Sequence, residues 1–104
     1  MLLTIFERLN LLNVLPAEGD LTTIRIVRKL REALSFTEAE IAEHNVAVDP
    51  ETNQVKWDND REKPIEFGAK ARDIAVKALE ALDAAGTVEE KHLTLFDKFG
   101  VGLD

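Results

Sequence analysis

Cysteine and tyrosine are absent from this 104-residue chain, and serine occurs once, at Ser35. Without cysteine there is no disulfide framework, no thiolate metal site and no cysteine nucleophile. A serine triad would have to use Ser35, which stands where a helix junction wants a small polar residue. The only histidines, His44 and His92, lack the i, i+4 spacing of strong zinc motifs and read as surface or boundary residues. No apolar run approaches the roughly 18 residues that a membrane helix needs. The opening MLLTIFERLN lacks the basic segment and long apolar stretch of a signal peptide, so the expected location is cytosolic. No cofactor and no metal are expected.

What is present is the composition of a folded domain: 45% hydrophobic, 32% charged, net charge −7. Charge is unevenly placed. Residues 20–34 hold four basic and two acidic side chains, whereas residues 35–53 hold five carboxylates and no lysine or arginine. An acidic domain of this kind repels nucleic acid and anionic membrane.

The centre of the chain is Asp20 to Asn45. Asp20 or Thr22 can cap a long helix whose apolar face is Leu21, Ile24, Val27, Leu30 and Leu34. Arg25, Arg28, Lys29 and Glu32 fall opposite, and Arg31 extends the basic patch. Thr37 and Glu40 form a capping box for a second, short helix, and Asn45 suits its left-handed C-terminal position. This pair has the outline of a helix-turn-helix. A recognition helix needs basic and amide side chains, however, and this one carries Glu38, Glu40 and Glu43. A winged-helix DNA-binding role is therefore kept only as a weak alternative.

Around this centre, Thr4 and Glu7 form a capping box for a first helix ending near Val14, with Ile5, Phe6, Leu9 and Leu12 as its stripe. Residues 46–49 and 54–58 alternate around a Pro50–Asn53 turn and predict a hairpin with one face buried. Lys63–Phe67 is a candidate third strand, with Pro64 confining it to an edge. Trp57 reads as core rather than as a recognition anchor. Asp58, Asn59, Asp60 and Glu62 mimic the start of a calcium loop, but the glycine and distal glutamate are missing, which favours a solvated loop. Gly68–Ala85 predicts the longest helix, with Ala71, Ile74, Ala75, Ala78, Leu82 and Ala85 as a small-residue stripe and Gly86 as its stop. Thr87–Glu90 predicts a capping box for a last helix carrying Leu93, Leu95, Phe96 and Phe99, the phenylalanines serving as core or dimer contact. The expected fold is α+β and mainly helical: about five helices, with a hairpin or three-stranded antiparallel sheet between the third and fourth. Residues 1–99 form one domain, and 100–104 a flexible tail.

The block FERLNLLNVLPAEGDLTTIRIVRKLREALSFTEAEI, the strand NQVKWD, the helix EFGAKARDIAVKALEALDAAG and the closing HLTLFDKF together resemble a set of small bacteriophage and prophage proteins. That resemblance spans nearly the whole chain but rests on core and cap patterns rather than a functional motif. It implies a phage origin and expression in a bacterial cytosol, and it transfers no activity.

The expected role is binding rather than enzymatic chemistry, as a modulator of a host or phage macromolecule. The surface expected to meet a protein partner comprises Arg25, Arg28, Lys29, Glu38, Glu40 and Glu43. The alternative is a virion assembly factor that forms homo-oligomers.

Overall fold

The computed structural model describes residues 1–102. Along the chain run β1 (Leu2–Leu3), α1 (Ile5–Val14), α2 (Leu21–Leu34), α3 (Glu38–Glu43), β2 (Ala47–Val48), β3 (Val55–Lys56), β4 (Lys63–Pro64), α4 (Ala69–Ala85), a 3-10 turn (Glu90–His92) and α5 (Leu93–Phe99). The fold is α+β and mainly helical. No helix among the described residues is long and apolar enough to cross a membrane.

Helix starts follow the local chemistry closely. The Thr4 hydroxyl accepts from the Glu7 N–H, and the Glu7 carboxylate accepts from the Thr4 N–H, closing the capping box of α1. Asp20, rather than Thr22, caps α2 by accepting from the Thr23 N–H at 2.7 Å. Asn45 takes φ +50 after α3. Gly86 ends α4 at φ +69, where a β-carbon would meet no atom within 4 Å. Only backbone strain opposes a side chain there. Gly86→Ala is therefore expected to cost about 1 kcal/mol, read as a melting point lowered by about 4–8 °C.

α1 occupies the centre, packing against α2, α4, α5 and β1. This corrects its predicted stripe. Ile5 and Leu11 are buried, but so are Glu7, Arg8 and Asn10, while Phe6 remains 41% exposed. A helix enclosed on most sides has no single apolar face for a periodicity to reveal. The core consists of Leu3, Leu11, Leu15, Val27, Leu30, Leu34, Ile65, Ala75, Leu79, Leu95 and Phe99. On α4 the buried positions are Ala75 and Leu79, so the core face runs through Leu79 and leaves Ala85 exposed. Leu21 is likewise exposed on α2.

The β structure departs from a three-stranded sheet. β2 and β3 form the expected antiparallel hairpin, with Ala47 opposite Lys56 and Val48 opposite Val55. β4 pairs instead with β1, Leu2 opposite Pro64 and Leu3 opposite Lys63. Reciprocal bonds between Met1 and Ile65 extend that pairing. Pro64 tolerates its place because this sheet has only two strands. The hairpin buries neither of its faces: Val48 is 58% exposed, and Trp57 is half-buried outside the core. Among the described residues, Phe6 is the aromatic ring that meets Trp57, at 6.1 Å between centroids.

Near the C-terminus, the Thr87 backbone and hydroxyl both donate to the Leu82 carbonyl, completing the end of α4. The predicted Thr87 capping box is thus replaced by Glu89 and His92. Gly100 closes α5 at φ +70, and the Val101 N–H donates to the Phe96 carbonyl. The first residues of the predicted tail therefore belong to a helix cap. Residues 103–104 lie outside the described residues.

Candidate functional site

Two adjacent ionic residues of α1 organise the molecule; the sequence marks Glu7 only as a capping residue and Arg8 not at all. Arg8 is 1% exposed. Its Nε donates to the Leu34 carbonyl at 3.1 Å, and Nη2 donates to the Ser35 carbonyl at 2.7 Å. Both acceptors are orphan carbonyls at the C-terminus of α2, where a cation is also favoured by the helix dipole. Nη1 reaches Glu40 Oε2 at 2.6 Å, and the guanidinium lies 4.2 Å from the centroid of the Phe36 ring. One side chain thus ties together α1, the end of α2 and the start of α3.

Glu40 answers from α3. Its Oε1 accepts from the Thr37 N–H and from Lys63 Nζ at 3.0 Å, while Oε2 takes Arg8. The Arg8 guanidinium above all holds the Glu40 carboxyl down to about 2, with Thr37 and Lys63 adding to the effect against the opposing pull of burial. Arg–carboxylate geometry of this kind gives strong, directional bonds.

On the neighbouring side of α1, Glu7 is 3% exposed. Lys98 Nζ donates to Glu7 Oε1 at 2.6 Å, to Glu62 Oε2 at 2.8 Å and to the Leu2 carbonyl at 2.7 Å. Burial pushes the Glu7 carboxyl up, but Lys98 and the Thr4 N–H together hold it below the usual carboxylate range. These three bonds use all the donors of the ammonium.

The six surface residues expected from the sequence divide. Glu40 turns inward to Arg8 and Lys63. Glu38 and Glu43 stay exposed on α3, a helix with no buried residue. Ile41, one turn from Glu38, is 42% exposed. Arg25, Arg28 and Lys29 form an exposed ridge on α2, with Arg28 in a 3.8 Å pair with Glu32. Among the described residues, no hydrogen bond or ion pair joins any two of the six. Arg31 leaves the predicted basic patch, because its guanidinium donates to the Leu12 and Leu15 carbonyls at the end of α1.

The other polar candidates have structural partners. Ser35 Oγ donates to the Arg31 carbonyl at 2.7 Å. Both histidines prove buried rather than superficial. His44 Nδ1 meets the Asp58 carbonyl at 3.1 Å. His92 Nδ1 accepts from the Glu89 N–H, so the neutral ring carries its proton on Nε2. In the Asp58–Glu62 loop, Asp60 accepts from the Ile5 N–H at 2.7 Å, Asp58 from Asn45, and Glu62 from Lys98. That loop is a brace for α1 and α5. Its neighbour in space, the acidic face of α3, is held in place by Glu40 and leaves Glu38, Ile41 and Glu43 uncovered.

Fold and site together define a small helical α+β domain that presents a braced acidic helix. Comparison with protein-family models, with curated proteins and with solved structures found no match to this chain.

Proposed function

We propose that the chain is a small non-enzymatic binding protein, of modulator or inhibitor type, which docks the exposed face of α3 on a basic surface of a protein partner. The observation that carries this reading is the division of labour within α3. Glu40 is spent on the Arg8 and Lys63 braces, while Glu38 and Glu43 stay exposed and Glu38 stands one turn from the exposed Ile41. A fixed helix loses little conformational entropy on docking, and exposed carboxylates with an exposed apolar side chain on one short helix offer a partner both charge and apolar area. The acidic run 35–53 would speed encounter with a basic partner through long-range attraction. If the phage origin expected from the sequence holds, that partner is a host protein in the bacterial cytosol. The exposed ridge of Arg25, Arg28 and Lys29 then serves as a secondary contact for acidic groups flanking the basic surface.

Affinity capture from a bacterial lysate tests this, comparing wild type with Glu38→Lys/Glu43→Lys. The expected result is one stoichiometric protein held by wild type, with affinity falling about tenfold or more in the variant and declining with salt. Equal capture by both forms, or recovery of only the chain itself, contradicts the proposal.

A further inference from the structure

The two buried histidines have no part in that reading, and their rings are bonded in opposite senses. His44 Nδ1 meets the Asp58 carbonyl at 3.1 Å, and a carbonyl only accepts, so His44 carries a proton on Nδ1. His92 Nδ1 accepts from the Glu89 N–H at 3.0 Å, so this nitrogen is bare. A second proton on His44 goes to Nε2 and leaves its bond intact. A second proton on His92 goes to Nδ1 and takes the acceptor away. An imidazolium has two donors and no acceptor, so no rotation of the ring restores the bond.

That bond closes the 3-10 turn between α4 and α5. The His92 N–H donates in return to the Glu89 carbonyl at 2.9 Å, so the two residues hold each other across the turn. Inside the turn, the Lys91 carbonyl accepts from Asn10 Nδ2 of α1 at 3.3 Å. A backbone N–H left unpaired away from water costs about 1–3 kcal/mol, and burying the new charge on the ring adds to that.

The titratable groups on the elements packed against the turn offer a charged ring no fixed partner. On α1, Glu7 is taken by Lys98 and Arg8 by Glu40. On α5, Asp97 is exposed and Lys98 is taken by Glu7 and Glu62. At the turn itself, Glu89 pairs with Lys91 at 3.4 Å and Glu90 is exposed. Among the described residues, no ion pair joins His92 to any of these.

We infer that this turn is a proton-operated latch: the neutral His92 ring closes it, and the protonated ring opens it without unfolding the domain. An opened turn takes up a proton near the ordinary histidine value of about 6.5, so the balance moves toward opening as pH falls through that range. Leu95 and Phe99 keep α5 in the core, and Lys98 keeps its bonds to Glu7 and Glu62. Opening therefore stays local. The Glu40 carboxyl, held down to about 2, takes its proton far lower, so the latch opens before acid weakens the fold as a whole.

Amide hydrogen exchange of the full chain at about pH 7.5 and 5.5, corrected for the intrinsic effect of pH on exchange, tests the latch. The opening ratio read at the Glu89 amide is expected to rise about tenfold, the factor by which a histidine titrating near 6.5 favours its protonated form at pH 5.5. Amides of α2 are expected to keep their protection. His92→Asn supplies an acceptor that takes no proton in this range, and is expected to abolish the rise. The ring nitrogens give a readout that needs no variant: near pH 7.5, NMR is expected to find Nδ1 bare on His92 and protonated on His44. A Glu89 amide equally protected at both pH values overturns the proposal. So does a proton on His92 Nδ1 near pH 7.5, a loss of protection that spreads equally through α2, or a rise that His92→Asn retains.

Discussion

Replacing Arg8 with alanine is expected to destabilise the fold by about 3–5 kcal/mol, the usual result of removing one partner of a buried ion pair. Three acceptors lose their donor at once: the Leu34 carbonyl, the Ser35 carbonyl and Glu40 Oε2. The Phe36 ring loses its cation as well. Glu40 keeps Lys63, which moderates the loss on that side, but among the described residues the two carbonyls at the end of α2 accept from no other donor. Domains of this size are stable by about 5–15 kcal/mol, so the variant will be marginal and its melting point lower by about 15 °C or more. Arg28→Ala provides the contrast. Its partner Glu32 is 3.8 Å away and both side chains are largely exposed, so the change is expected within about 0.5 kcal/mol of neutral. Equal effects of the two substitutions in urea unfolding would refute the central place given to Arg8.

Acid should unfold the protein through the same residue. The Glu40 carboxyl falls from 4.5 to about 2 in the folded state. A carboxylate with a lowered folded value contributes its full stabilisation above about 4.5, and that contribution disappears as pH falls toward 2, because the unfolded chain takes up the proton first. At about 1.4 kcal/mol per pH unit, the shift sets an upper bound of about 3 kcal/mol across that window, which solvent screening of this partly exposed carboxylate reduces. Glu7 is shifted in the same direction and adds to the slope. Unfolding free energies at pH 7, 4 and 2.5 for wild type and Glu40→Gln will separate the two. The variant is expected to be weaker at pH 7 and to lose less on acidification, so the curves converge at low pH. Parallel curves would mean that Glu40 is not held by Arg8 in solution.

The sequence makes the helices legible because their signals are local. Thr4 with Glu7 and Thr37 with Glu40 announce two helix starts across three residues, and Asn45 and Gly86 announce two stops. What escapes is what depends on distance along the chain. β4 pairs with β1 rather than with the nearby hairpin, and no short-range pattern encodes that choice. Arg8 finds its acceptors 26 to 32 residues away, so in the sequence it is one charge among many. Thr87 imitates a capping residue well, yet its hydroxyl is taken by the Leu82 carbonyl behind it. The same blindness divides the expected surface. The capping box with Thr37 sets Glu40 apart from Glu38 and Glu43 in the sequence, but its turn inward depends on Arg8 and Lys63, which lie far along the chain.

The most direct test is to measure stability and partner capture together in two variants of α3. Glu40→Gln is expected to melt lower than wild type because it weakens the brace. Glu38→Lys/Glu43→Lys is expected to melt as wild type does and to lose the captured protein. Undiminished capture by the folded charge-reversal variant would contradict the account, since the open face of α3 would then not be where a partner binds.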